Sequence, residues 1–275
     1  MAPLEPDNPF HGWNLQLRVK STYHGNFENP KGEWCFMNAP MQFILDILSE
    51  NDAYRNSLYK AVGERSDPIL AELLALCAQR TVKQQIQSCK NLRKAINSDG
   101  RFEASSKYHR EKLELNYHDA CEFIDTLYEK EPLMMSEIFG RMLTADKPLI
   151  GIINMSGLIN ESRIYDIFDK SEENESSNYC ILRLVEHEHI GKSKGQIHLD
   201  QRIYEIPTKA GLFRIYALIL FNEKKGHYIA LVQGREGWIA YDDLKDTAYK
   251  IGYAPTILNE NVHIIVFERM CKRGW

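Results

Sequence analysis

The sequence predicts an α+β protein, with a helical first half, an antiparallel sheet in the second half, and a cleft where the two meet. Two observations carry this. Between about Phe36 and Lys130 apolar residues cluster and recur at helical spacing; beyond that stretch come runs of β-branched and aromatic residues separated by Gly, Asn and charged turns. A run of helices followed by a run of strands is the pattern of segregated layers.

In chain order, the first twenty residues carry three of the ten prolines and little periodicity, so an extended N-terminal arm (1–20) is expected ahead of one domain over 21–275. Ala39 to Leu48 (APMQFILDIL) is the first helix. Asp67-Pro68 before ILAELLALCAQ pairs an N-cap residue with a helix-starting proline. TVKQQIQSCKNLRKAI extends the helical pattern until Asp99-Gly100 stops it. Tyr117 to Glu131 places Ala120, Phe123, Ile124 and Leu127 on one helical stripe. The predicted strands are LIGIINM, YCILRLVE, RIYEI, LFRIYALILF, HYIALVQ, WIAYD and VHIIVFE. Between the first two lies Asp169 to Asn178 (DKSEENESSN), polar and acidic, expected to be an exposed loop.

Composition narrows the function. With 275 residues, 44% hydrophobic and 26% charged, the chain is long and apolar enough to enclose a core. Thirty-four Lys and Arg against 38 Asp and Glu leave a net charge of −4, without the basic surplus that a polyanion requires, so no nucleic acid is expected as partner. The longest apolar runs fall well short of the roughly 20 residues that cross a bilayer, so no membrane is expected either. The N-terminus MAPLEPDNPFHGW lacks the basic start and apolar stretch of a secretory signal, and a cytoplasmic or nuclear location is expected. Six cysteines include no C-x-x-C pair, which offers neither a disulfide framework nor a zinc ladder.

Two segments carry the candidate chemistry. Cys35, in GEWCFMNAPMQFIL, stands just ahead of a helix, where unpaired N–H groups and the positive end of the macrodipole favour a thiolate. Simple packing is the commoner fate of such a cysteine. A thiol nucleophile needs an imidazole, and the imidazole needs a third group to orient it. His227, in KKGHYIALVQGREGWIAYDDL, follows Gly226 and opens a strand. Gly234 to Gly237 reads as a hairpin turn whose second strand returns Asp242 and Asp243 towards His227, although an Asp pair after a strand is more often a solvated turn. His187 and His189 share a strand face near Cys180, and His118 lies three residues from Cys121 on a helix. Neither pair has a metal-ligand set around it. No metal and no cofactor are expected, and no G-x-x-x-x-G-K-S/T, G-x-G-x-x-G or H-E-x-x-H occurs.

Taken together, the two segments resemble the boxes of the ubiquitin-specific proteases, papain-like deubiquitinating enzymes. GEWCFMNAPMQ is similar to their cysteine box, G-x-x-C-Y/F-M-N-x-x-x-Q, and GHYIALVQGREGWIAYDD to their histidine box, G-H-Y followed by a hairpin and W-x-x-F/Y-D-D. YHDACEF resembles the middle motif Q-Q-D-A-H-E-F, LRKAI the segment before it, and VHIIVFE the last sheet strand. The resemblance implies a papain-like cysteine protease fold: a helical thumb over about 21–135, then an antiparallel palm and reduced, zinc-free fingers over about 136–270, the fingers from about Leu149 to Arg202. It implies Cys35 as nucleophile, His227 as general base and then acid, Asp242 as orienting carboxylate and Asp243 as an assisting group. It also implies that Gly226, Tyr228, Asp119 and Phe123 line the path of the ubiquitin tail. Ubiquitin or polyubiquitin, ubiquitinated proteins and a regulatory protein partner are the implied partners.

The departures from the family pattern are specific. Pro30 stands where the family usually places an oxyanion-holding asparagine, with Asn29 one residue earlier to substitute for it. Glu33 and Trp34 replace small polar residues, and Pro40 removes a helix N–H unless the helix starts late. The proline and the D-A-x-E middle motif are reminiscent of the branch holding ubiquitin-specific peptidases fifty-three and fifty-four. A catalytically impaired member that binds ubiquitin or scaffolds an assembly is therefore the alternative expectation.

Overall fold

The computed structural model describes residues 17–18, 27, 29, 34–50, 53–54, 56, 68–78, 82–102, 119–140, 143–145, 177–184, 196–198, 206–208, 211–222, 225–234, 237–245, 247–252, 256–258 and 262–270. Five helices of eight or more residues are described: α1 (Cys35–Glu50), α2 (Pro68–Ala78), α3 (Val82–Ile96), α4 (Ala120–Lys130) and α5 (Pro132–Phe139). Strand β1 (Leu17–Arg18) precedes them. β2 (Leu143–Ala145), β3 (Tyr179–Leu184), β4 (Gln196–His198), β5 (Ile206–Thr208), β6 (Gly211–Asn222), β7 (His227–Gly234), β8 (Gly237–Tyr241), β9 (Tyr249–Gly252), β10 (Thr256–Leu258) and β11 (Val262–Met270) follow. Helices before a largely antiparallel sheet are the expected α+β arrangement.

α1 begins at Cys35, four residues before the expected start. The Trp34 carbonyl accepts the N–H groups of Met37 and Asn38, so the first turn closes ahead of Pro40. Pro40 therefore sits inside the helix, where it has no N–H to give to the helical ladder. The helix is held by burial: Met37, Met41, Phe43, Ile44, Leu45, Ile47 and Leu48 are all shielded from solvent. Each such side chain contributes roughly 1.5–3 kcal/mol of transfer free energy.

α2 starts at Pro68, as a first-position proline allows, and packs along α3. α3 ends at Ile96; the Asn97 side chain then accepts the Phe102 N–H at 2.6 Å, and Gly100 takes a φ of 75°. α4 starts at Ala120 rather than Tyr117, because the Asp119 carboxylate caps it by accepting the Cys121 N–H at 2.9 Å. Pro132 at the first position of α5 then redirects the chain. Phe102 joins the Phe36 and Phe123 rings, with centroids 5.3 and 6.5 Å apart, and Phe43 meets Phe139 edge-on at 5.9 Å.

The main sheet runs β1-β9-β8-β7-β6-β11-β3-β2, with β5 also on β6; β10 and β4 form a separate pair. β6 and β11 form its long centre, and their near-continuous apolar runs are buried. α1 covers β7 and β6, while α4 reaches β11. Among the described strands all pairings are antiparallel except β2 with β3, which is parallel. β2 and the β1–β9 pairing were not anticipated, and Leu17–Arg18 ties the end of the expected arm to the sheet. LIGIINM, most of RIYEI, residues 169–176 and most of the expected fingers lie outside the described residues. No described helix is long and apolar enough to cross a membrane.

Candidate active site

The hairpin β7–β8 positions the imidazole and both carboxylates. Its register pairs Gly234 with Gly237 and Ala230 with Tyr241, so the chain leaving β8 passes beside the start of β7. Asp242 and Asp243 thus come next to His227. α1 lies across β7 and brings Cys35, its first helical residue, to the same point. Gly226 takes a φ of 57°, a left-handed conformation that glycine tolerates, and turns its carbonyl towards Cys35 Sγ at 4.0 Å.

His227 Nε2 lies 2.8 Å from Asp242 Oδ1 and 3.6 Å from Asp243 Oδ1. The Leu244 N–H also donates to Asp242 Oδ1, at 3.1 Å, which fixes the carboxylate in a turn. Cys35 also interacts with the same imidazole. Burial opposes charge on His227; the bonds with Asp242 and Cys35 and the charge of Asp243 outweigh it and hold the imidazole up at about 10. A ring protonated at neutral pH donates from Nε2 to Asp242 and supplies the counter-charge that a nucleophilic thiolate needs. His227 and Cys35 are 3% and 5% exposed, so this pairing is screened from water.

Asp243 is held from the other side. Asn38, one helical turn after Cys35, donates from Nδ2 to Asp243 Oδ2 at 2.5 Å, and Arg93 from α3 donates from Nη2 to Asn38 Oδ1 at 2.9 Å. Burial, joined by the charge of Asp242, pushes the Asp243 carboxyl up against the lowering effect of His227, Asn38 and Asn29. Asn29 Oδ1 accepts the Trp34 N–H at 3.0 Å, which anchors the residue before the thiol. Asn29 Nδ2 and Asp243 Oδ1 are both buried and fall short of hydrogen-bond geometry with any partner, although Asn29 lies near enough to Asp243 to lower its carboxyl. Pro30 lies outside the described residues.

Among the described residues, His227, Asp242 and Asp243 are also the group whose donor atoms converge closely enough, within 4.8 Å of one another, to hold a metal ion. The hydrogen bond between His227 Nε2 and Asp242 and that from Asn38 to Asp243 Oδ2 already engage all three of those residues.

The middle-motif residues gather on the other side of β7. The Tyr228 hydroxyl donates to Asp119 Oδ1 at 3.2 Å and lies 3.2 Å from His263 Nδ1. Burial works against the Asp119 charge, but the His263 ring, the Cys121 N–H and the Tyr228 hydroxyl outweigh it and hold the carboxyl down at about 2. Phe123 and Tyr228, both expected along the substrate path, are buried, at 0% and 4% exposure. Phe123 packs against the Phe102 ring, and Tyr228 alternates with His227 along β7. Gly226 and Asp119 keep partial exposure.

Asn38, Arg93, Trp34 and His263 were not singled out as site residues from the sequence. Helical spacing from Cys35 was a usable signal for Asn38. Arg93 had none, because it reaches Asn38 from 55 residues away.

No protein-family profile matches the chain, and no curated protein matches it in sequence. Solved structures do align with it. One is the SAGA DUB module of Ubp8, Sgf11, Sus1 and Sgf73 bound to ubiquitin aldehyde: TM-score 0.47, 14% identity, 93% of this chain and 72% of that chain. A variant of that module bound to monoubiquitin gives 0.48 and 14%, over 93% and 72%. The Saccharomyces cerevisiae PAN2 pseudoubiquitin-hydrolase–RNase module gives 0.47 and 10%, over 94% of this chain and 54% of that chain.

Proposed function

We propose that the protein is a thiol peptidase that hydrolyses the peptide or isopeptide bond after the C-terminal glycine of ubiquitin. The observation that carries the reading is the meeting of Cys35, His227 and Asp242 in one buried cluster. The choice of ubiquitin rests on the likeness of the two sequence boxes to those of ubiquitin-specific proteases.

Cys35 Sγ attacks the glycine carbonyl carbon, and the carbonyl oxygen takes up the negative charge. The Cys35 N–H, at the first turn of α1 where no intrahelical acceptor is available, and Asn29 Nδ2 are the donors assigned to that oxygen. His227 gives its proton to the leaving lysine amine as the C–N bond breaks, which leaves a thioester on Cys35. The neutral ring then takes a proton from water, which attacks the thioester and releases ubiquitin. Asp242 holds the ring throughout. Gly226 and Asp119 are assigned to the ubiquitin-tail path, and Tyr228 and Phe123 support its wall from the core. Ubiquitinated proteins are the substrates, and a regulatory protein partner completes the proposed set.

A second reading, a ubiquitin-binding scaffold of the same fold, draws on the deep burial of Cys35 and on Pro30 at the family's asparagine position. Turnover of a fluorogenic ubiquitin substrate separates the two. Hydrolysis by the wild type that disappears in Cys35→Ala supports the peptidase; equal signals from both proteins contradict it.

A further inference from the structure

We propose that Arg93 is a positioning residue for this site: through Asn38 it holds Asp243 against His227, and through Trp34 it steadies the segment that presents Cys35. The inference rests on the reading of Cys35 and His227 as the reacting pair and adds to it a group that touches neither.

The geometry is a chain of contacts from α3 to the imidazole. Arg93 is 9% exposed, an unusual place for a guanidinium that has only a structural surface role. Its Nη2 donates to Asn38 Oδ1 at 2.9 Å. An amide whose oxygen is fixed in that way must turn its nitrogen to the opposite side, and there Asn38 Nδ2 donates to Asp243 Oδ2. The other oxygen of Asp243 is then 3.6 Å from His227 Nε2. The same guanidinium lies over the Trp34 ring, 5.4 Å from its centroid, and Trp34 is the residue before Cys35, with its N–H held by Asn29. One side chain therefore braces both the acid side and the thiol side of the site.

Without Arg93, the Asn38 amide loses the contact that sets its orientation. Rotation by half a turn would then present Oδ1 to Asp243 Oδ2, two acceptors face to face, and the carboxylate would leave its place by His227. Loss of Arg93 should therefore matter only while Asp243 is a carboxylate. A folding defect has no such condition attached to it.

The test is a double-mutant cycle on the full chain, read as the rate of Cys35 alkylation by iodoacetamide at neutral pH, with the modified peptide identified by mass. This readout needs no ubiquitin. Arg93→Gln is expected to slow alkylation about tenfold in the wild-type background and less than about twofold in the Asp243→Asn background, since residues in one network couple non-additively. Arg93→Lys, which keeps the charge and one donor, should recover part of the rate. Asn38→Ala enters the same cycle with the same expectation should Arg93→Gln not fold. Equal slowing in both backgrounds overturns the positioning role. A wild-type Cys35 no more reactive than a free cysteine overturns the underlying reading of the site and this inference with it.

Discussion

Asp242 and Asp243 differ by 0.8 Å in their approach to one nitrogen, at 2.8 and 3.6 Å from His227 Nε2, and that difference assigns their roles. A carboxylate at hydrogen-bond distance fixes the ring, while one beyond it contributes charge. Asp242→Asn is therefore expected to lower kcat/KM for a ubiquitin substrate by about 10²–10⁴, and Asp243→Asn by only about tenfold, measured side by side. Equal or reversed effects would move the orienting role to Asp243. Asp119 is a residue of another kind, because its contacts are a helix cap, the Tyr228 hydroxyl and the His263 ring. Asp119→Ala should cost about 1 kcal/mol in denaturant unfolding at neutral pH. Its carboxyl is depressed from 3.8 to about 2, so the stability it contributes is present above pH 3.8 and lost as the pH falls through 2. The difference between wild type and variant should shrink over that range.

At the scale of elements, the turn between β6 and β7 is the sensitive joint. Gly226 combines a φ of 57° with a carbonyl that faces the candidate nucleophile. Gly226→Ala should cost about 1 kcal/mol of stability through the left-handed conformation alone. Cys35 alkylation should slow more than a shift in folding equilibrium of that size accounts for, because the turn also sets the start of β7 and hence His227. Long elements were legible in the sequence: the apolar stripe of α4 has the helical period, and the β6, β7, β8 and β11 runs are rich in β-branched and aromatic residues. Other features were hidden for physical reasons. β2 is three residues long and pairs in parallel, so no alternation announces it. The start of α1 depends on the Trp34 carbonyl closing a turn ahead of Pro40, which propensity alone counts against. Cys35, His227 and the two aspartates stood out by residue type and by position at element ends. Arg93 did not, since only tertiary packing brings α3 to Asn38.

At the scale of the whole molecule, folding brings together a helix start and a hairpin 191 residues apart in sequence and makes the protonated imidazole part of the native state. The His227 ring binds its proton more tightly when folded, at about 10 against 6.5 for the free side chain. Its contribution is full below pH 6.5 and is lost as the pH rises through 10. Thermal unfolding followed from pH 6 to 10 should therefore show a decline in Tm that is flatter in His227→Gln; parallel curves would mean that the imidazole carries no such coupling. The central claim is that this buried cluster is a nucleophilic site directed at ubiquitin. Incubation with ubiquitin bearing a C-terminal propargyl group, followed by intact mass, tests it most directly. The account predicts a single ubiquitin adduct that vanishes in Cys35→Ala and is strongly reduced in His227→Ala. An adduct that persists in Cys35→Ala, or no adduct on a protein that still binds ubiquitin, would contradict it.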